Sequence, residues 1–317
     1  MSNLFIIGNG FDLKPTNSLP TQYSDFKSFM LSNDMILPSY MINWNNISYE
    51  TPDGGREVIP ENANQLIVTL ISNSDYSPNH DWSDLEDTLG HLNFNSLDLD
   101  ATVLDKEGTE NPGLTDENYN QYFSIIYDAF SSFQEVFESW ISSITTDLVV
   151  PIPSIQNIID KNDIFINFNY TPTLEKKYNV DTKKILHIHG VQGENNLLFG
   201  HKHTDNMSED DNSYYTVSDG IKNINNLLLK NTNIGLCRLD NFLSTTTDLN
   251  EITDVYSIGF SYGLVDRDYI KKILADLPPT QQITWHFDDY DRKEHQQVFE
   301  CYLRKLKFSG LFSWDHF

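Results

Sequence analysis

Residues 163–190, DIFINFNYTPTLEKKYNVDTKKILHIHG, carry the pattern from which the fold is read. Ile164, Phe165 and Ile166 form a run without a polar residue, as expected of a strand buried on both faces. Asn167, Asn169, Tyr170 and Thr171 then make a polar turn, residues 172–178 a short helix, and a second apolar run ends in His187-Ile188-His189-Gly190. Strand, turn, helix and strand are the unit of a parallel α/β sheet, in which reacting groups stand just past the carboxyl ends of the strands. This segment offers two such ends, one bearing Asn169 and the other His187 and His189.

Working outward, Leu4-Phe5-Ile6-Ile7 is another wholly apolar run, and Gly8-Asn9-Gly10-Phe11-Asp12 follows it directly. An apolar strand entering a glycine turn suits the first strand of a nucleotide-binding sheet, although GxG without a third glycine also describes an ordinary tight turn. Further strands are expected at 164–168, 185–188, 197–199, 254–259 and 283–287, with helices at 172–178, 215–229, 266–275 and 293–307. Between these parts, Thr21 can cap a helix carrying Tyr23, Phe26 and Phe29 or Met30, and residues 63–72 and 81–92 read as short helices. Residues 33–62 and 93–114 read as loops. Tyr122, Ile126, Phe130, Phe133, Phe137, Trp140 and Ile144 recur at helical spacing from Thr115 onward, so one long helix closed by Pro151 and Pro153 is expected, its aromatic stripe a packing face. The expected architecture is a doubly wound, Rossmann-like α/β domain, residues 1–20 and 153–317, with a large, mainly helical insertion over residues 21–152 after the first strand.

Composition narrows the function. With 46 acidic against 21 basic residues the net charge is −25, which repels a phosphate backbone and argues against nucleic acid as a partner. A small anionic ligand stays open, because backbone N–H groups at helix starts bind phosphate whatever the net charge. No apolar run approaches the roughly 20 residues of a bilayer span and no leader pattern opens the chain, so no membrane association and a cytoplasmic location are expected. Cys237 and Cys301 match no metal or redox spacing and read as reduced thiols in apolar surroundings.

Two readings of the histidines compete. Residues two apart on a strand share a face, so His187/His189 and His201/His203 could each offer two imidazoles to one metal, as in a metal-dependent hydrolase, although no carboxylate stands at ligand spacing. Alternatively one histidine serves as a base beside a ribose, with Asn169 holding the sugar or a water. Cleavage of a glycosidic bond passes through an oxocarbenium-like state that asks for polar groups around the sugar rather than a strong nucleophile. Asn169 equally suits an Asx turn or a helix cap, and Asp266 a cap or a ribose contact. The letters GFSYG, residues 259–263, fit a serine-hydrolase elbow with His286 and His295 downstream, but Leu264-Val265-Asp266 intervene before the next helix.

Taken in order, IIGNGFDL, SLPTQYSDF, WSDLEDTLG, NFNYTPTLEKKY, HIHG, FGH and SIGFSYGLVDRDYI resemble the bacterial phage abortive-infection family AbiH over nearly the whole chain. That family in turn resembles a distant branch of the sirtuin-type NAD-binding fold. The resemblance aligns Gly8-Asn9-Gly10 with the sirtuin glycine turn, Asn169 with the catalytic Asn of TQNxD, His189-Gly190 with the catalytic HG pair, and Gly259-Phe260-Ser261 with the ribose-contacting GTS. It implies a sirtuin-like sheet and hydrolysis of NAD to nicotinamide and ADP-ribose, with NAD as substrate, no metal, and Asn169 and His189 catalytic. Gly8, Asn9, Gly10, Asp12, Tyr170, Gly190, Gly259, Ser261 and Asp266 would bind the dinucleotide. The departures are Thr171 in place of the TQNxD Asp, Asn9 and Asp12 in place of Ala and Ser, Ser18 where the family is expected to have Gly, and the lack of zinc-ribbon cysteines, which argues against a protein deacetylase. A non-catalytic nucleotide-binding sensor of infection and the metal-dependent hydrolase stand as alternatives; a related nucleotide, a second copy of the chain and a phage protein as trigger are the partners left open.

Overall fold

A computed structural model of the protein describes residues 2–14, 16–31, 47–52, 56–77, 81–97, 99, 101–195, 197–202, 215–245, 249–289 and 293–317. The chain forms two compact units, one made of Met1–Gln22, Ile141–Leu198 and Asn231–Phe317, the other of Tyr23–Trp140 and Phe199–Lys230.

The first unit is built on a six-stranded sheet in the order β5-β4-β1-β6-β7-β8, where β1 is Ser2–Ile7, β4 Ile164–Asn167, β5 Ile185–His187, β6 Ile252–Ile258, β7 Thr284–Asp288 and β8 Leu311–Asp315. Every pairing is parallel. The chain winds outward from β1 to β5, returns to β6 on the other side of β1, and continues to β8, so its direction reverses between β1 and β6. Side chains alternate along each strand and both faces are covered. Leu4, Ile6, Ile164, Ile166 and Val255 pack with Leu239, Tyr269, Ile270 and Leu303 from helices Thr232–Thr245, Arg267–Asp276 and Lys293–Lys305. Phe5, Ile7, Phe165 and Ile258 pack with Phe11, Ile155 and Leu174 from helices Asn9–Leu13, Pro153–Ile158 and Thr173–Tyr178. On that second face, register places Phe5 between Phe165 and Tyr256, with ring centroids 4.7 and 4.9 Å away.

The second unit is mainly helical. Its aromatic stripe is a packing face, as its spacing predicts: Phe26 lies 5.4 Å from Phe137 and 5.0 Å from Trp140, and Phe137 stacks on Phe199 at 3.9 Å. The expected long helix is instead two, Pro112–Ser131 and Phe133–Ser143. At the break Ser131 and Ser132 turn their hydroxyls onto the carbonyls of Asp128 and Ala129, a back-bonding that bends helices. Pro151 and Pro153 therefore lie beyond the helix end.

The unit boundaries differ from the sequence expectation. Residues 199–230 go with the helical unit because helix Tyr215–Leu227 lies against Pro112–Ser131, so closely that a Cβ on Gly220 would come within 2.5 Å of the Phe123 ring. Residues 141–152 go with the sheet, where the Ile152 amide donates to Tyr178 Oη at 2.9 Å. Residues 197–199 form no strand; the Leu198 amide donates to the His189 carbonyl at 2.8 Å, one bond rather than a ladder. Within 33–62, Ser48–Glu50 (β2) pairs antiparallel with Arg56–Val58 (β3), while residues 32–46 and 53–55 lie outside the described residues. Both cysteines are exposed rather than in apolar surroundings, since Cys237 and Cys301 fall on helix faces turned from the core. Among the described residues no helix is long and apolar enough to cross a membrane.

Ser18, where a glycine is expected, has φ +41, a left-handed value that costs a residue with a Cβ about 1–2 kcal/mol. Ser18→Gly is therefore expected to stabilise the protein by up to about 1 kcal/mol, the gain being reduced by glycine's greater freedom in the unfolded chain. Chemical denaturation measures it, and an unchanged or lowered midpoint would contradict the strain.

Candidate active site

The carboxyl ends of β1, β4, β5 and β6 bring the motif residues into the first unit's switch region. Register sets Ile7 beside Asn167 and Ile258, and Asn167 beside His187, so the residues that follow each strand emerge side by side. The amides of Phe168, Ile188 and Gly8 continue the ladders to the carbonyls of Ile7, Asn167 and Ile258 at 2.9, 3.0 and 3.0 Å.

The glycines are needed for packing between loops. A Cβ on Gly8 would lie 2.5 Å from the Gly259 carbonyl oxygen, and one on Gly10 2.7 Å from the Gly259 Cα. Gly259 itself has φ +64. The Gly8 and Gly10 amides donate to the carbonyls of Ile258 and Gly259 at 3.0 and 2.9 Å. Two of the N–H groups that a phosphate would draw on are thus engaged by the chain itself. Asn9 is exposed and its Nδ2 donates to the Thr21 carbonyl; Ser261 is also exposed. Among the described residues no hydrogen bond joins either one to Asn169 or His189. In the same loop Tyr262, at φ +55, donates to Ser257 Oγ and accepts from Trp285 Nε1, both at 2.9 Å.

Asp12 is wholly buried and accepts hydrogen bonds from the hydroxyls of Thr171 and Thr173. This carboxylate holds the turn after β4 rather than facing a dinucleotide, and it stands on Thr171, the position where the resembled motif carries its own Asp. Burial pushes the Asp12 carboxyl up from 3.8 to about 6, against the two threonine hydroxyls and His187, which pull it down. An acid whose folded pKa exceeds its unfolded value binds more protons when folded. Its contribution to stability is present below pH 3.8 and lost as pH rises through about 6, a change of about 3 kcal/mol at ~1.4 kcal/mol per unit. Asp12→Asn should flatten the stability profile over that window. Thermal unfolding between pH 4 and 7 reads this, and a slope equal to that of the parent would count against Asp12 as its source.

Asn169 neither caps the following helix nor forms the Asx turn. The cap is Pro172, without a side-chain bond, and the turn is made by Asn167 Oδ1 accepting from the Asn169 amide at 3.0 Å. Asn169, 5% exposed, donates through Nδ2 to the Gly8 carbonyl at 3.1 Å. Its Oδ1 is buried without a hydrogen-bond partner among the described residues. Buried polar atoms are paired in the great majority of cases, so this one marks a place where a donor is to be received.

The histidines at the end of β5 separate clearly. His187 has both ring nitrogens engaged, Nδ1 with the Asn169 carbonyl at 3.0 Å and Nε2 with Glu175 at 2.7 Å. His189 is 4% exposed, its ring 5.4, 5.9 and 5.8 Å from those of Phe168, Tyr170 and Tyr269. Its Nε2 lies 3.3 Å from Asp266 Oδ1, within reach of an ion pair although not aligned as a hydrogen bond. Gly190 takes φ +89 and so turns the chain directly after His189. Tyr170 Oη is anchored on the Leu198 carbonyl at 2.9 Å. Asp266 precedes helix Arg267–Asp276 without making a side-chain cap.

The other readings meet obstacles in the same geometry. His187 has no nitrogen left for a metal, and His201 engages the carbonyls of Lys202 and Asn225, while His203 lies outside the described residues. Among the described residues no group of three His, Cys, Asp or Glu gathers. His286 is held between Asp254 and Asp315 through both ring nitrogens, so it is not a base for Ser261; the His295 side chain is not among those described. Sequence reasoning missed Thr173, Glu175 and Tyr269. Glu175 was within reach of it, since helix 173–178 packs beside β5 in any strand-helix-strand unit.

The family model described as Bacteriophage abortive infection AbiH matches residues 4–289. No curated protein and no solved structure matches the chain. The family match takes in β1, both motif-bearing strand ends, the Gly259 loop and Asp266, and on that extent the chain belongs to the bacteriophage abortive infection family AbiH.

Proposed function

We propose that this AbiH protein acts in abortive infection by hydrolysing NAD to nicotinamide and ADP-ribose at the carboxyl ends of β4 and β5. The observation that carries the reading is a pair of buried side chains at adjacent strand ends: Asn169, whose Oδ1 has no hydrogen-bond partner among the described residues, and His189, whose Nε2 stands 3.3 Å from Asp266 Oδ1 outside hydrogen-bond alignment. Counted within their own sheet, the strands run 3-2-1-4-5-6, the order of dinucleotide-binding sheets, which receive ligand where the order reverses. In the reaction water adds at the anomeric carbon, the C–N glycosidic bond breaks, and nicotinamide leaves with the electron pair. His189 takes the proton, and Asn169 Oδ1 accepts from a ribose hydroxyl or the water. The purified protein incubated with NAD, alone and with phage lysate, should release nicotinamide; no turnover and no NAD binding in either would overturn the reading.

One observation favours the second reading, a nucleotide-binding sensor. The Gly8 and Gly10 amides are already engaged, which weakens the phosphate cradle that an efficient NAD hydrolase would use. The sensor reading expects NAD or ADP-ribose to bind without turnover.

A further inference from the structure

Asp266, which sequence reasoning assigned to a helix cap or a ribose contact, is placed against His189. We propose that Asp266 is a positioning residue that holds His189 in the tautomer with the proton on Nε2, leaving Nδ1 as the atom that accepts a proton from a substrate hydroxyl or water. The inference rests on the reading of His189 as a base.

A carboxylate only accepts, so the nitrogen facing it is the protonated one, and a neutral imidazole then has its lone pair on the other. The 3.3 Å contact between Nε2 and Asp266 Oδ1 is slightly long and not aligned as a hydrogen bond, as contacts of a catalytic pair often are until substrate tightens them. Phe168, Tyr170 and Tyr269 wall the ring and limit its rotation, so the carboxylate selects the tautomer rather than following it. Asn169 points the same way. Its Nδ2 must face the Gly8 carbonyl, because a carbonyl cannot donate, and Oδ1 is thereby fixed as an acceptor. The two side chains together present acceptors, Asn169 Oδ1 and His189 Nδ1, beside a third acceptor, the Asp266 carboxylate. Such a set receives hydroxyl donors, a ribose diol or a water, and repels a phosphate or carboxylate. It therefore meets the ribosyl end of a nucleotide.

Nitrogen-15 NMR of the imidazole tests the tautomer without any substrate. In the full chain, with His189→Gln identifying the resonances, His189 should carry its proton on Nε2, and Asp266→Asn should move it to Nδ1 in a fraction of molecules, with Asp266→Glu restoring the parent pattern. A proton on Nδ1 in the parent, or a spectrum unmoved by Asp266→Asn, would overturn the proposal. With NAD, Asp266→Asn should lower kcat by about 100-fold with KM within about 3-fold. Parent-like kcat in that variant overturns it as well. A chain that does not turn over NAD but shows the expected tautomer shift sinks the NAD reading and leaves the pair standing.

Discussion

Replacing His189 with alanine is expected to lower nicotinamide release from NAD by at least 100-fold while NAD binding stays within a few-fold of the parent. General-base catalysis contributes about 10²–10⁴-fold where the base is well placed. Binding should survive because His189 is not tied into the sheet through its side chain: its ring meets Phe168, Tyr170, Tyr269 and Asp266, none of which depends on it for a hydrogen bond that closes a strand. His187→Ala is the contrasting variant. It removes the imidazole that links the Asn169 carbonyl to Glu175 and should show itself first as lost stability. Turnover in His189→Ala equal to the parent's, in a protein that does cleave NAD, would remove His189 from the chemistry. Equal and complete loss from both variants, each still folded, would return attention to a shared metal.

The largest effect on folding is expected at Gly259. Its φ of +64 already penalises a side chain, and a Cβ there would meet the backbone of Gly10 and Phe11, with the Gly10 Cα at 2.7 Å. These are main-chain atoms of the short helix that follows β1 and cannot swing aside. Gly259→Ala should therefore cost about 4 kcal/mol or more, the range reached when overpacking and backbone strain combine. Gly193→Ala is the control, because its φ of +90 is equally left-handed and nothing lies within 4 Å of the added methyl. That variant should lose only about 1–2 kcal/mol, the cost of the backbone conformation alone. Thermal denaturation of the pair separates crowding from conformation, and equal losses would show that the loop contact at Gly259 contributes nothing.

Strands buried on both faces announce themselves as apolar runs, and for that reason β1 and β4 were legible; β5, β6 and β7 mix in polar residues such as His187, Asp254 and His286, and Ile185, Val255 with Ile258, and Trp285 with Phe287 made them legible all the same. β8 was not, although Phe312 and Trp314 pack against the core at the alternate positions a strand requires. Its run is short and its first residue, Leu311, is 68% exposed. Helix Thr232–Thr245 escaped because Ile234 on its outer side blurs the stripe that Leu239 and Leu243 make. At the candidate site, residue type and motif order point to Asn169 and His189, which the fold brings to neighbouring strand ends, but contacts between side chains cannot be read that way. Asp12 is a ligand contact only on the resemblance of the motif that holds it. Only the fold brings it onto Thr171 and Thr173, some 160 residues away. The pairing of Asp266 with His189 is equally nonlocal. Spacing along the chain carries no record of it.

The central place of β1 also bears on how the protein comes into being. Synthesis delivers β1 first, yet Leu4 must wait for Ile164 on one side and Val255 on the other before its backbone is paired. Over that interval an apolar strand with two open edges stays unpartnered on the nascent chain, and loops of such length close slowly. Of the six strands of the sheet, its central one is thus the earliest made and among the last secured, a consequence of the strand order rather than of any one residue.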